Sequence, residues 1–335
     1  MRRKRYKTRS MRLCGSDQTV LGFVMRILIT GGAGFIGSHL AEHTAAKGHH
    51  VRVLDNLIRG RRENVPTGVA LDVADVASTE AEDLVAAFKA DVIVHLAAQM
   101  NVRVSVEQPV YDTHVNVLGT VRLLHAAHKA GVKTFIQAST GGAIYGDSAE
   151  LPTPETEACT PKSPYGISKL CGEAYLEYFS RTSSMRCVAL RFANVFGPRQ
   201  SALGDAGVVG IFARAMLGQK PPPIFGDGQQ TRDYIYVTDV VAAIVAAIHR
   251  ADAHGPFNIG SGIETSLVDL VAGLRAPTAY DGPVLHVDAR AGEQRRSCLD
   301  IAKAARAMQW QCKTSLTQGL VATVDWVRSE ACRGA

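Results

Sequence analysis

Nowhere in the 335 residues is there an apolar run of the roughly 18–20 residues that a bilayer-spanning helix requires. The longest candidate, Val237–Ile248, is too short and carries Asp239. This excludes a helical membrane protein, and no membrane partner is expected. Paired metal-ligand cysteines are also missing: the seven (Cys14, Cys159, Cys171, Cys187, Cys298, Cys312, Cys332) form no C-x-x-C motif. Their odd number and irregular spacing suit reduced thiols in a cytoplasmic protein. There are no internal repeats, which rules out a solenoid. Outside the first 24 residues there is no charge excess of either sign. The formal +6 comes entirely from Arg2, Arg3, Lys4, Arg5, Lys7, Arg9 and Arg12 set against Asp17. That stretch has no apolar core with a small-residue cleavage site, so it does not read as a secretory signal. Residues 1–24 are expected to be a disordered basic leader or an over-extended start, and no nucleic-acid partner is expected, because the basic charge rests on that tail alone.

What remains is globular in composition, 46% hydrophobic and 20% charged, and long enough for one large or two moderate domains. Its organising stretch is Met25–Asp55. Arg26–Thr30 is a buried-strand pattern, and Gly31, Gly34 and Gly37 follow at G-x-x-G-x-x-G spacing. Phe35–Lys47 has helical periodicity, and Val51–Leu54 is a second strand closed by Asp55, 18 residues after Gly37. Glycine at a strand–helix junction permits a tight turn and a close approach of backbone N–H groups to a pyrophosphate, and the helix N-terminus adds its positive end. An acid at the tip of the second strand accepts both ribose hydroxyls of an adenosine and repels a 2′-phosphate. The spacing alone is a weak signal, but strand, helix and acid together predict NAD as cofactor. Arg59, Arg61 and Arg62 could favour a 2′-phosphate instead; Asp55 opposes that, and a solvated loop face accounts for them equally well.

Strands then alternate with helices: Val69–Leu71, Ser78–Phe88, Asp91–His95, Pro109–Ala130, Lys133–Ala138, Pro164–Arg181 and Cys187–Arg191. The rhythm predicts an α/β fold, a Rossmann-type doubly wound parallel sheet whose ligands lie beyond the carboxyl ends of the strands. From about Phe196 the rhythm breaks into loops around Val208–Leu217. We therefore expect an NAD-binding domain over residues 25–195, with 237–262 returning to it. A smaller mixed α/β substrate domain is expected from 196–236 and 263–330.

Tyr165 and Lys169 lie four apart, on one helix face. A phenol ionises near pH ~10, and a neighbouring ammonium with the positive ring of NAD+ would favour the phenolate, a base useful near neutrality. Y-x-x-x-K is common by accident; its position after a dinucleotide fingerprint and after a strand ending Ala138-Ser139-Thr140 is what gives it meaning. His39, Glu42 and His43 spell H-x-x-E-H, a zinc pattern, but they sit on the helix behind the glycine turn, and no metal is expected. His125 and His128 lack a third ligand and read as a surface or interface pair.

These residues, together with HLAAQ, SVEQP, VNVLGT, GGAIYG, SPYGISK, LRFANVFGPRQ, GDGQQTRDYIYV, NIGSG and GEQRRS, give the chain a resemblance to the extended short-chain dehydrogenase/reductases, NAD-dependent epimerase/dehydratase family, most of all the UDP-glucose 4-epimerase (UDP-galactose 4-epimerase) branch, from Met25 to about Trp326. The resemblance implies that Gly31, Gly34 and Gly37, with Phe35 and Ile36 between them, cradle the pyrophosphate. Asp55 and Asn56 would meet the adenosine ribose and Asp72 and Val73 the adenine. His95, Leu96, Ala97 and Ala98 would line the cofactor, and Lys169 would hold the nicotinamide ribose. Asn194, Arg232 and Arg290 match positions that bind a UDP-sugar diphosphate, and Val209 and Phe225 lie in segments that wrap its base. The implied reaction is 4-epimerisation: Tyr165 takes the 4-hydroxyl proton as hydride leaves C4, and the 4-keto sugar turns and recovers the hydride on its other face. The implied assembly is a homodimer through Pro109–Ala130 and Pro164–Arg181.

Two departures from the pattern stand out. The serine or threonine expected five residues before Gly146 is Gly141, so Thr140 or Ser139, or a water, is expected to serve in its place. The acid that dehydratases and decarboxylases place three before that glycine is Ala143, which removes the proton shuttle those reactions need. Ser297, small at a position that gates N-acetylated sugars, leaves UDP-N-acetylglucosamine open as a substrate. Arg191, Arg199 and Arg296 could meet the carboxylate of UDP-glucuronate. A nucleotide-sugar dehydrogenase or a non-catalytic NAD-binding protein are the remaining alternatives.

Overall fold

Short apolar segments flanked by glycine, and buried on both sides, form the centre of the protein. The computed structural model describes residues 24–148, 150–201, 207–289 and 294–333. Its strands are β1 (Arg26–Thr30), β2 (His50–Leu54), β3 (Ala70–Asp72), β4 (Val92–His95), β5 (Thr134–Thr140), β6 (Arg186–Phe192), β7 (Asn194–Phe196), β8 (Pro223–Phe225), β9 (Thr231–Tyr236), β10 (Gly255–Ile259), β11 (Glu264–Ser266) and β12 (Leu285–Val287). Seven of them form one sheet in the order β3-β2-β1-β4-β5-β6-β10, every pairing parallel. This is the doubly wound sheet the alternation predicts.

Both faces are covered, which is why the strands read as continuous apolar runs rather than alternating ones. Within β1, Ile27 and Ile29 point into one core with Val53, Val94, Val188 and the helix Val237–His249. Leu28 points into the other, with Leu54, Ile93, Phe135, Leu123 and Leu176. The connections reverse direction between β1 and β4, so the carboxyl ends of these two strands open onto a crevice.

The expected single helix Pro109–Ala130 is interrupted. Pro109–Thr113 and Gly119–Lys129 are α-helical, and His114–Leu118 between them is a π turn. The cause is Asn116: its amide donates to Gln99 O at 2.8 Å, Asp112 Oδ1 at 3.0 Å and Ser168 Oγ at 3.2 Å, partners that hold the widened turn.

The smaller assembly has its own core of Phe196, Phe212, Met216, Leu270, Leu274, Leu320 and Val324. Those residues come mainly from the helices Val208–Leu217, Leu267–Thr278 and Leu316–Arg333, packed beside a β11-β9-β7 sheet and a β12-β8 pair. Within 263–330 the helix Ala302–Met308 lies elsewhere: Ala304, Met308 and Trp310 join the core of the large sheet, and Trp310 Nε1 donates to Asp239 O at 3.0 Å. No described helix is long and apolar enough to cross a membrane.

Candidate active site

A cavity of about 980 Å³ lies at the switch point between β1 and β4. Its floor is the glycine turn. Gly31 takes a positive φ of +69°, and its N–H donates to Leu54 O at 2.8 Å. A Cβ there would lie 2.6 Å from Ala97 N, so β1 can turn against the segment after β4 only without a side chain. Gly37 packs closer still: a Cβ would meet Gly31 O at 2.2 Å, which binds the helix Phe35–Ala46 to the turn. No side chain caps that helix at Gly34, so its first N–H groups face the cavity, as an anion site needs. Phe35, Ile36, Leu96, Ala97 and Ala98 line the same space.

Asp55 sits at the end of β2, 6% exposed. Its carboxylate accepts from Ala33 N at 3.0 Å and Leu57 N at 2.9 Å, so it braces the glycine turn while bordering the cavity with Asn56. Arg61 N and Asn64 Nδ2 both donate to Ala33 O, at 3.0 and 3.1 Å, and fold the following loop over the turn. Asp72 and Val73 do not line the cavity. The Asp72 carboxylate is held by Arg52 of the neighbouring strand, with Nη2 to Oδ1 at 2.8 Å, and Val73 is exposed. His95 is buried between Thr30 Oγ1 (2.7 Å) and Thr120 Oγ1 (3.0 Å); burial, then the Lys169 charge, lowers its pKa to about 3. It is a core histidine.

The opposite wall carries Tyr165 and Lys169, on the helix Pro164–Thr182 that Ser163 caps by accepting from Gly166 N at 3.2 Å. Lys169 Nζ lies 5.9 Å from the centre of the Tyr165 ring and donates to Ala138 O at 3.1 Å. Burial lowers the lysine to about 8, opposed by the charges of Asp112 and Glu173. Burial raises Tyr165 to about 12; Asp112 adds to the rise, and a hydrogen bond with Thr140 opposes it. The expected lowering of the phenol is therefore absent in the protein alone, because desolvation acts on the phenolate before any cofactor charge is added.

Ser139 and Thr140 both border the cavity but are differently committed. Ser139 Oγ donates to Glu173 Oε1 at 2.5 Å, and Glu173 is clasped by Arg191, whose Nη1 reaches Tyr145 Oη at 2.7 Å. Thr140, rather than Ser139, is the hydroxyl whose interaction favours the Tyr165 phenolate. At Gly141 a Cβ would strike Leu299 Cδ1 at 2.4 Å; leucine fills the space of the expected hydroxyl.

Asn194, Val209, Phe225 and Arg232 are not among the cavity-lining residues. Asn194 Oδ1 lies 3.7 Å from a Cβ built on Gly142, Val209 is buried in the smaller core, and Arg232 Nη1 donates to Thr231 O at 2.8 Å. Arg290 is outside the described residues. Residues missed from sequence close the cavity from the far side: Gln200, Arg214, Trp326 and Glu330. No local spacing marks them, since only the fold brings the last helix across. Of the three arginines offered to a sugar carboxylate, Arg191 is buried against Glu173 and Arg296 is paired with Glu264; Arg199 borders the cavity and is paired with Glu42. That pair, with His39 bonded to Pro198 O at 3.0 Å, accounts for His39 and Glu42 of the H-x-x-E-H residues.

Comparison with known proteins agrees with this geometry. The model of the NAD dependent epimerase/dehydratase family matches residues 27–260. A UDP-glucose 4-epimerase of Mycolicibacterium smegmatis is 43% identical over 315 residues, covering 92% of this chain and 100% of that protein. The crystal structure of a Thermotoga maritima UDP-glucose 4-epimerase with UDP-glucose superimposes with a TM-score of 0.89 at 43% identity, covering 92% of this chain and all of that one. A Thermus thermophilus UDP-glucose 4-epimerase in complex with NAD gives 0.86 at 40% identity, covering 91% and 99%.

Proposed function

The chain belongs to the NAD-dependent epimerase/dehydratase family, and from that membership and its cavity we infer that it is an NAD-dependent UDP-sugar 4-epimerase of the UDP-glucose/UDP-galactose type. The observation that carries the reading is that a glycine turn built for a pyrophosphate and the Tyr165–Lys169 pair face each other across one cavity. The donor set fits NAD. Side-chain-free backbone at Gly31, Gly34 and Gly37 would take the diphosphate, and the buried Asp55 carboxylate a ribose without a 2′-phosphate. When bound, NAD supplies reversible hydride acceptance.

The protein's own residues do the rest. Tyr165 takes the proton of the 4-hydroxyl and returns it after the sugar has turned, while Thr140 donates to the phenol oxygen and holds its direction. Lys169 holds the nicotinamide ribose and places positive charge beside the phenol, which favours the phenolate. Ala143 offers no acid to a neighbouring carbon, so elimination and decarboxylation have no proton shuttle. Asn194, Arg232 and Arg290 are proposed for the diphosphate and Val209 and Phe225 for the base, in the lobe formed by 196–236 and most of 263–330. Asp72 and Val73 are proposed beside the adenine. The engagement of Arg191 and Arg296 disfavours a uronate.

We further propose a homodimer in the cytoplasm. Val106, Val110, Ile167 and Tyr178 are exposed on neighbouring helices and form the apolar face such a dimer would cover. Cys159, Cys171, Cys187, Cys298 and Cys312 are unpaired.

The test is incubation of the purified protein, without added cofactor, with UDP-glucose, UDP-N-acetylglucosamine and UDP-glucuronate, following inversion at C4 by NMR. We expect inversion of UDP-glucose. Absence of inversion with all three would reject the reading, and a stoichiometric need for added NAD would favour a dehydrogenase.

A further inference from the structure

Asp112 is 0% exposed, on the short helix Pro109–Thr113 behind the cavity wall. Its Oδ1 accepts from Gln99 Nε2 at 2.8 Å and Asn116 Nδ2 at 3.0 Å. Its Oδ2 is buried with no hydrogen-bond partner. A carboxylate has room for about four donors, and leaving half of that capacity empty in the interior is costly unless an opposite charge is near. Among the described residues no lysine or arginine pairs with it directly.

Lys169 has the complementary deficit. It is 3% exposed, its Nζ is bonded to Ala138 O, and it makes no direct ion pair. Two carboxylates act on it, Asp112 and Glu173. Glu173 is already neutralised by Arg191, which reaches it through Nε at 3.0 Å and Nη2 at 2.6 Å. That leaves one buried carboxylate without a cation and one buried ammonium without an anion, on adjoining elements. A hydrogen-bonded path ties Asp112 to the helix that carries Lys169, at its first turn: Asn116 Nδ2 donates to Asp112 and lies 3.2 Å from Ser168 Oγ, and Ser168 Oγ donates to Tyr165 O at 2.9 Å.

We propose that Asp112 is the counter-ion of Lys169, a buried positioning residue that keeps the lysine charged against the cofactor's ribose and steadies the helix turn carrying Tyr165. The proposal rests on the roles given above to Tyr165 and Lys169. The other charged or titratable groups facing the pair are few. They are Glu173 and Tyr165 on its own helix, His95 on β4, held neutral by burial, and Tyr111 beside Asp112 on the cavity rim. β5 contributes no charged group, only the Ala138 carbonyl and the hydroxyls of Ser139 and Thr140.

A stability cycle on the NAD-loaded protein tests the pairing without reference to turnover. Lys169→Met leaves Asp112 buried with no counter-charge. Asp112→Asn should therefore lower the melting temperature of the parent, yet leave unchanged or raise that of Lys169→Met. Equal losses in both backgrounds would overturn the proposal, as would Asp112→Asn failing to fold in both; folding only beside Lys169→Met would support it. In the single variant Asp112→Asn, both limbs of the pH–rate profile should move to lower pH, by about half a unit or more, because Asp112 raises Lys169 and Tyr165 alike. A residue that only filled space would leave the limbs in place. Coupling without C4 inversion would retain the ion pair and reject the epimerase reading; inversion without coupling would do the reverse.

Discussion

Adding the same methyl group at two glycines of the turn should damage two different properties. At Gly37 the new Cβ lies 2.2 Å from Gly31 O, 2.7 Å from Gly32 Cα and 2.8 Å from Gly31 C. All three are main-chain atoms, so no side chain can rotate away and the helix must lift off the turn. Overpacking of this kind costs about 1–3 kcal/mol, occasionally more. For a chain of this size that is a fall in Tm of roughly 1–5 °C. At Gly34 the only close atom is Gly31 O at 3.2 Å, and the backbone is extended (φ −82°, ψ −172°), a conformation alanine adopts freely. The NAD-stripped Gly34→Ala protein should therefore melt within about 0.5 kcal/mol of the parent. Its methyl instead occupies the approach of the diphosphate to the helix N-terminus, and NAD affinity should fall at least about tenfold, or 1.4 kcal/mol. The assay is thermal melting of stripped protein paired with calorimetric NAD titration. Gly37→Ala melting with the parent, or Gly34→Ala binding NAD with parental affinity, would refute the division of labour.

Tyr165→Phe should retain NAD and lose about 10²–10⁴-fold in C4 inversion; a fully active variant rejects the assigned base. Gly141→Ser should cost about 1–3 kcal/mol and Leu299→Ala about 2–5 kcal/mol. The double variant should cost clearly less than both together, measured by urea unfolding, since the added side chain enters the space leucine leaves. Lys169 loses its proton near 8 when folded and near 10.5 when unfolded, so across that window it makes stability rise with pH. Tyr165, raised from 10.0 to about 12, stabilises below 10 and loses that contribution as pH climbs to 12. Lys169→Met should flatten the first slope in melts taken across the alkaline range. Val110→Arg places a charge on the apolar helix face, and sedimentation should find the dimer weakened while the monomer stays folded.

What the sequence makes legible is whatever depends on near neighbours along the chain. β1 and β4 announce themselves because strands covered on both faces are nearly continuous apolar runs, and the glycine spacing because a strand-to-helix turn is local. Tyr165 and Lys169 stand out because four residues is one helical turn. The π turn at His114–Leu118 was hidden, since the amide that widens it finds partners 17 and 52 residues away. Strands of three residues such as β7 and β11 are too short for any period to register. The choice between Ser139 and Thr140 turns on Glu173 and Arg191, which a reading of β5 alone cannot see. Asp72 looks free beside the adenine position until β2 pairs with β3 and brings Arg52 against it.

The protonation state of the site bears on why hydride and proton should leave the substrate together. A lysine beside a tyrosine suggests a ready phenolate, yet burial drives both groups toward neutrality, the phenol up to about 12 and the ammonium down to about 8. At pH 7 the protein by itself therefore holds a phenol and an ammonium, and its base is dormant. The Thr140 hydroxyl pulls the phenol in the useful direction, but Asp112 pulls against it. A bound NAD+ would supply further positive charge beside the phenol. With that charge in place, Tyr165 would become the stronger base that the proposed proton abstraction needs. With Ala143 in place of an acid, no second carbon can be deprotonated from that position meanwhile. One proposed base with no neighbouring shuttle favours returning the hydride to the carbon that gave it.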